Sequence, residues 1–311
     1  MSEIALVFPG QGSQYMGMCQ DLDLIDDMEL IDKFNIASKV FNVDFLDVCK
    51  NGPNEKLSST YIAQPAIFLH SILIDKLLKI NNLNVKAVAG HSLGEYTALV
   101  SSGVITFEEC LEILKVRCSE MEKVNKKYKG SMLAIINDDI DLIKAICKKL
   151  EDTVIANINS QNQIIISGPY NEIESAISLF KENGIKKMIK LNVSGAFHSP
   201  LMREANLSLN KAINSVNFKD SNYALYQNVF PNEIFDGKKI KQNLKNQLCG
   251  TVEWLDIIKN MKKNNITEII EVGPKNVLTR LIQKIEPSIK TKSFDKVSDI
   301  MGYGMLKGLK K

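Results

Sequence analysis

Arginine, histidine and tryptophan are scarce in this 311-residue chain. Of its 39 basic residues only Arg117, Arg203 and Arg280 are arginine; His70, His91 and His198 are its three histidines, and there is one tryptophan. No histidine stands at metal-ligand spacing with a cysteine or another histidine, so no metal site is expected. The six cysteines (Cys19, Cys49, Cys110, Cys118, Cys147 and Cys249) form no CxxC pair. The N-terminal stretch has no charged segment leading into a long apolar one, so no secretory leader is expected there. The thiols therefore read as reduced and structural, and the protein as cytoplasmic. No unbroken apolar run approaches the ~18–20 residues of a membrane span. The 39 basic residues face 36 acidic ones, a net charge of +3, too balanced to argue for nucleic acid. Local lysine groups such as Lys186, Lys187 and Lys190, or Lys238, Lys239 and Lys241, read as solvated faces.

What is present is a succession of short apolar strands and periodic helices. A strand is expected from Ile4 to Phe8, ended by Pro9 and Gly10. Helical periodicity follows through about Cys49, and again from about Gln64 to Leu78 with Pro65 in the first turn. A second strand, from Val85 to Ala89, runs into Gly90, and helices follow from Glu95 to Ser101 and from Thr106 to Lys127. This alternation predicts an α/β protein with a largely parallel sheet. Residues 131–193 read differently: strand 132–136, helix 139–150, strands 154–158 and 163–167, helix 171–182 ended by Gly184, and strand 185–193. That β-α-β-β-α-β order is the split ferredoxin-like unit, expected as a small inserted domain over 129–194. The catalytic domain, α/β-hydrolase-like, would then be discontinuous, over 1–128 and 195–311. A strand at 267–272 and a helix at 276–285 complete it. The last ~20 residues carry no clear periodicity and read as weakly ordered.

Gly90-His91-Ser92-Leu93-Gly94 fits GxSxG between a strand and a helix, the setting of a nucleophile elbow. A sharp turn there projects Ser92 above the sheet edge, and the flanking glycines let backbone segments approach where a Cβ would clash. The amide after the serine points toward a developing oxyanion at a helix N-terminus. A serine hydroxyl needs a base near pH 7, most often histidine. His91 adjoins the serine inside the elbow and should point away. His70 lies in an apolar helical pattern and reads as a packed residue. Elimination leaves His198, in a loop between a strand and a helix. The Pro9–Ser13 turn after the first strand is a weak second source of oxyanion donors. A phosphate loop is disfavoured, because no GxxxxGK[ST] is present.

These segments, taken together, resemble the malonyl-CoA:acyl carrier protein transacylases. The resemblance rests on Gly10-Gln11-Gly12-Ser13-Gln14, on Gly90 to Glu95, on Arg117 with Met121, on Gly195 to Met202, on Gln247 to Trp254, and on Glu271 to Pro274. They occur in the family's order from residue 9 to about 285. The resemblance implies Ser92 as acylated nucleophile and His198 as base, with the amides of Gln11 and Leu93 as the oxyanion hole. It implies that Gln247 orients His198 through its backbone carbonyl and that Arg117 binds the malonyl carboxylate, with Met121 lining the pocket and Asn159 near it. Malonyl-CoA and acyl carrier protein would be the substrates of a monomer, with no cofactor beyond the coenzyme A thioester. On chemistry alone a guanidinium suits a carboxylate through two parallel contacts, while a surface salt bridge is an equal alternative for Arg117.

Three positions depart from the family pattern. Lys275 replaces a loop glycine in the Gly273 to Leu278 segment, so the turn there is expected to differ. Cys118 stands where the family commonly has glycine. Gly195 precedes Ala-Phe-His where malonyl-selective polyketide synthase domains often carry histidine, a form suited to a stand-alone fatty-acid enzyme. Two rival functions share the motif: a thioesterase-like hydrolase, which has less use for Arg117, and a non-catalytic carrier-binding module, which has no use for Ser92 with His198.

Overall fold

The computed structural model describes residues 3–21, 28–79 and 83–302. Strand β1 (Ile4–Phe8) is followed by helices α1 (Met28–Phe41), α2 (Phe45–Asn51), α3 (Asn54–Ser58) and α4 (Thr60–Lys79). Strand β2 (Val85–Gly90) leads into α5 (Gly94–Ser101) and α6 (Phe107–Lys127). Next come β3 (Gly130–Ile136), α7 (Ile140–Cys147), β4 (Val154–Ser160), β5 (Gln163–Pro169), α8 (Tyr170–Glu182) and β6 (Met188–Lys190). The chain continues through a 3₁₀ turn (Pro200–Met202), α9 (Arg203–Ser215), β7 (Ala224–Gln227), β8 (Phe230–Ile234), α10 (Gly237–Gln247) and α11 (Trp254–Lys263). It closes with β9 (Glu268–Val272), α12 (Val277–Ile285), β10 (Lys290–Phe294) and α13 (Val297–Gly302).

Two sheets result. One has the order β10-β9-β1-β2-β7-β8, parallel throughout except for the β7–β8 hairpin. Its central strands are buried on both faces, as a parallel sheet covered by helices requires. The period of two divides them: Leu6, Phe8 and Val88 pack into the core with α4, α5 and α6, while Ala5, Val7, Ala87 and Ala89 face α11 and α12. The other sheet is antiparallel, β4-β5-β3-β6, and carries α7 and α8 over its own apolar cluster. This is the ferredoxin-like arrangement expected from the β-α-β-β-α-β order.

Four expectations change in detail. The helical stretch expected through Cys49 divides, because Asn42 takes a left-handed φ of 55° and Asp44 then caps α2 by accepting from the Asp47 amide; its part at 22–27 lies outside the described residues. Helix α4 starts at Thr60, since the Ser59 carbonyl accepts from the amides of Ile62 and Ala63, which places Pro65 inside the helix rather than in its first turn. One ladder bond is thereby lost, and burial of the surrounding apolar side chains outweighs it. This helix is also long and apolar enough by mean composition to cross a membrane, although polar residues interrupt its apolar run, and 89% of the window lies buried inside the protein. The strand expected over 185–193 contracts to Met188–Lys190, since the Ile185 amide still closes the end of α8 on the Phe180 carbonyl.

The fourth change concerns the C-terminal stretch expected to be weakly ordered. Its first part forms β10, which pairs with β9, and α13, with Phe294, Val297 and Ile300 buried in the main core. Residues 303–311 lie outside the described residues.

Candidate active site

Strands β1 and β2 are parallel neighbours, with Phe8 opposite Gly90, so the turns after them lie side by side. The His91 amide donates to the Phe8 carbonyl at 3.0 Å. Glycine is needed here for close approach. A Cβ on Gly90 would stand 1.9 Å from the Gly94 carbonyl carbon, one on Gly94 2.0 Å from the Phe8 carbonyl oxygen, and one on Gly10 2.5 Å from the His91 carbonyl oxygen. Between the elbow glycines Ser92 adopts a φ of 51°. A non-glycine residue held there costs on the order of 1–3 kcal/mol and persists only where its surroundings enforce it.

The elbow aims Ser92 Oγ at His198 Nε2, 2.8 Å away. His198 Nδ1 lies 3.0 Å from the Gln247 carbonyl, as expected, and also 3.1 Å from the Gly250 carbonyl. Carbonyls only accept, so Nδ1 carries the proton and Nε2 is left to accept from the serine hydroxyl. Burial, and after it the positive charge of Arg117, holds the imidazole pKa down to about 3. The ring is therefore neutral across the physiological range. His198 itself has a φ of 56°, a second left-handed side chain at the same site.

Arg117, on α6, is 1% exposed, which removes the surface salt-bridge alternative. Its Nη2 donates to Ser92 Oγ at 3.3 Å, its Nη1 donates to Gln64 Oε1, and its guanidinium lies over the Tyr96 ring. Its buried Nε has no hydrogen-bond partner among the described residues. Among the described residues no carboxylate forms an ion pair with it. A buried cation with an unused donor is a site prepared for an anion.

Ser92, His198, Arg117, Gln11, Leu93, Met121 and Asn159 all line one cavity of ≈310 Å³. Met121 accepts from Gln64 Nε2 at 3.5 Å. Asn159 Oδ1 pairs with His91 Nε2 at 2.8 Å, and His91 stands edge-on to Trp254, so its side chain is engaged away from Ser92 Oγ. His70 is buried, as its apolar surroundings implied, between Cys19 Sγ at 3.0 Å and the Asp295 carbonyl at 2.6 Å.

Three residues of the site escaped the sequence reading. Gln64, on α4, ties Arg117, Gln11 and Met121 together. Asn228, after β7, accepts from the Ser92 amide at 2.7 Å and donates to the Gly90 carbonyl at 2.6 Å. Glu95, just past the elbow, is fully buried and receives hydrogen bonds from Gln227, Gln247 and the Asn228 amide. Glu95 stood at the end of the Gly90–Glu95 motif, but its burial appears only in the fold. Gln64 and Asn228 have no short-range signal, because their partners lie 53 and 136 residues away.

Residues 5–302 match the model of the acyl transferase domain family. Over 307 residues the chain is 35% identical to the malonyl CoA-acyl carrier protein transacylase of Staphylococcus aureus, covering 97% of this chain and 99% of that one. A crystal structure of an acyl carrier protein S-malonyltransferase from Vibrio cholerae superposes with a TM-score of 0.91 at 33% identity, over 97% of this chain and 100% of the other. A structure of a type II PKS acyl-carrier protein in complex with its malonyl-transacylase superposes with a TM-score of 0.91 at 30% identity, over 96% of this chain and 98% of the other. The chain belongs to the malonyl-CoA:acyl carrier protein transacylase family.

Its departures from the family pattern have local explanations. Lys275 adopts a left-handed φ of 65°, a conformation that favours glycine, and its ammonium reaches the carbonyls of Gln14 at 3.1 Å and Gly12 at 3.4 Å. Cys118 is buried against Gln64 Oε1 at 3.5 Å, and desolvation pushes its thiol up to about 12. Gly195 packs on α6: a Cβ there would meet Asn125 Oδ1 at 1.8 Å, so a histidine at this position requires Asn125 to move.

Proposed function

We propose that this family member is a malonyl-CoA:acyl carrier protein S-malonyltransferase that works by ping-pong transfer through a malonyl ester on Ser92. The observation that carries the reading is the buried Arg117, with an unused Nε donor beside the nucleophile. In the first half-reaction His198 Nε2 takes the Ser92 hydroxyl proton as Oγ attacks the thioester carbon of malonyl-CoA. The carbonyl oxygen becomes an oxyanion, met by the amides of Gln11 and Leu93 and by the helix terminus at α5. Collapse breaks the carbon–sulfur bond, and coenzyme A leaves with the proton returned by His198. In the second half-reaction the phosphopantetheine thiol of acyl carrier protein gives its proton to His198 and attacks the ester, and Ser92 Oγ leaves with that proton. Arg117 holds the distal carboxylate through both steps. Met121 and Gln64 wall the acyl end, while Asn159 acts through His91.

These steps draw on protein groups alone, and we propose a monomer acting in the cytoplasm without nucleic-acid or membrane partners. The malonyl thioester made is the unit consumed in fatty-acid chain building; the solved relative with a polyketide carrier is a second setting for the same chemistry. The test is intact mass after adding malonyl-CoA without a carrier. The wild type should gain one malonyl increment that transfers on addition of holo-carrier, and Ser92→Ala should gain none. Free malonate released as fast as malonyl-CoA is consumed would instead mark a hydrolase, and no adduct would mark a binding module.

A further inference from the structure

Glu95 is 0% exposed and has no ion-pair partner within salt-bridge distance among the described residues. A buried carboxylate without a close cation is costly unless hydrogen bonds satisfy it. Here three donors converge on it. Gln227 Nε2 reaches Oε1 at 3.0 Å; the Asn228 amide reaches Oε2 at 2.9 Å and Gln247 Nε2 reaches it at 3.3 Å. Two of these donors belong to residues that hold the catalytic pair. Asn228 accepts from the Ser92 amide at 2.7 Å through its side chain. Gln247 donates to the Ser92 carbonyl at 2.7 Å and orients His198 through its own carbonyl at 3.0 Å. The carboxylate thus sits one bond away from both ends of the Ser92–His198 contact, while touching neither side chain.

We infer that Glu95 is a positioning residue whose ionised carboxylate keeps the elbow and the His198-orienting Gln247 in register, so that its protonation, rather than that of His198, sets the acid limb of Ser92 acylation. The inference rests on Ser92 being the acylated nucleophile. Three donors aimed at one side chain need an acceptor at every position. A carboxylate supplies this, whereas a protonated acid turns one of its oxygens into a donor facing donors. Burial pushes Glu95 up to about 7, against the lowering pull of Asn228, Gln227, Gln247 and the more distant Arg117. The titratable and charged groups around it are Arg117 from α6 and, on its own helix, Tyr96, whose phenol burial raises far out of range. His198, held at about 3, does not change charge in this window. A misplacement of about 1 Å in the Ser92–His198 geometry can cost about 10²-fold in rate.

The experiment is the rate of malonyl-serine formation, read by quenched-flow intact mass from pH 5 to 9, for wild type, Glu95→Gln and Glu95→Asp, with folding followed by thermal melting. The wild-type rate should fall on acidification with an apparent pKa near 7. Glu95→Gln should be about 10- to 100-fold slower at pH 8 with a melting temperature at or above wild type, and flat between pH 6 and 8, since an amide faces one donor with another donor. Glu95→Asp should keep an acid limb on a lowered plateau, and carries the test should the Gln variant not fold. Wild-type rates and an unmoved acid limb in Glu95→Gln would overturn the inference, as would an Asp variant with no limb. Absence of any adduct on the wild type would instead overturn the nucleophile reading beneath it.

Discussion

Two buried histidines in this protein have nearly the same hydrogen-bonded surroundings. His198 lies between Ser92 Oγ at 2.8 Å and backbone carbonyls at 3.0 and 3.1 Å. His70 lies between Cys19 Sγ at 3.0 Å and the Asp295 carbonyl at 2.6 Å, with the Asp295 carboxylate 3.2 Å away. Each is a nucleophile-type atom, a histidine and an acceptor in line. The difference is access. Ser92 and His198 open on a cavity with Arg117 and two loop amides; Cys19 and His70 stand outside that cavity and are 2% and 1% exposed. Burial, and then the neighbouring Cys49, raises the Cys19 thiol well above its usual range, so it is a neutral group. Asp295 is pushed up by burial but drawn below the usual carboxylate range by its bonds to His70, Lys275 and Tyr15. In-line hydrogen bonds make a stable knot. They make a catalytic site only where a substrate can reach the nucleophile and a place for its charge is prepared.

The comparison breaks if the two histidines respond alike. His198→Ala should slow acylation by roughly 10²–10⁴-fold per folded molecule. His70→Ala leaves buried partners unsatisfied, so it should lower stability by about 1–3 kcal/mol and leave the acylation rate per folded molecule nearly unchanged. Single-turnover acylation and denaturant unfolding of both proteins decide it; a loss of rate in His70→Ala equal to that in His198→Ala would make the second knot part of the mechanism.

Arg117 sharpens the comparison, because it is what the His70 cluster lacks. Arg117→Ala should cost on the order of 2–5 kcal/mol in kcat/KM for malonyl-CoA and spare acetyl-CoA, which has no distal carboxylate to leave unpaired. Arg117→Lys should restore only part, since an ammonium cannot make two parallel contacts. An equal loss for both substrates would make Arg117 structural.

The two clusters should also differ in how stability follows pH. Glu95, raised from 4.5 to about 7 in the folded state, takes up its proton more readily than in the unfolded chain. Its contribution is therefore fully present below about 4.5 and is lost as pH rises through about 7, a change of roughly 3 kcal/mol. Asp295, depressed, works in the opposite sense: its contribution holds above 3.8 and is lost as pH falls through its folded pKa. Unfolding free energy from pH 4 to 8 should lose its downward slope above pH 5 in Glu95→Gln, and a slope unchanged by that substitution would refute the assignment. The smallest effect is at Lys275, where the loop beside the His70 cluster meets the glycine turn of the active site. Lys275→Gly relieves a left-handed side chain and gives up two bonds made by an exposed ammonium, so melting should rise by about 1–2 °C. A drop in melting temperature would mean that the tie to Gly12 and Gln14 outweighs the strain.

Much of the site was legible in the chain because its signals are local. The elbow announces itself within five residues, since only glycine tolerates the approach of Gly90 and Gly94 to their neighbours. The order of strands and helices announced a parallel sheet and an antiparallel one, since each periodicity belongs to a contiguous segment. His198 emerged because the other two histidines sat in patterns that explained them. Arg117 stood at even odds from the residues alone, since burial is not a property of a single position in a sequence.

What the tertiary structure alone decided are the long-range pairings. Gln64 reaches Arg117 across 53 residues, Asn228 reaches Ser92 across 136, and Gln227 reaches Glu95 across 132. None leaves a spacing to read, because the amides are placed by helix packing and by the end of β7 lying beside β2. The C-terminal strand is the same kind of case: β10 exists because β9 offers it an open edge and Phe294 a place in the core. By itself the sequence pointed to the Ser92–His198 pair, which the fold brings within hydrogen-bond distance, and to the family. The fold determined which groups hold them, because hydrogen bonds between segments distant in the chain exist only once the chain has closed around them.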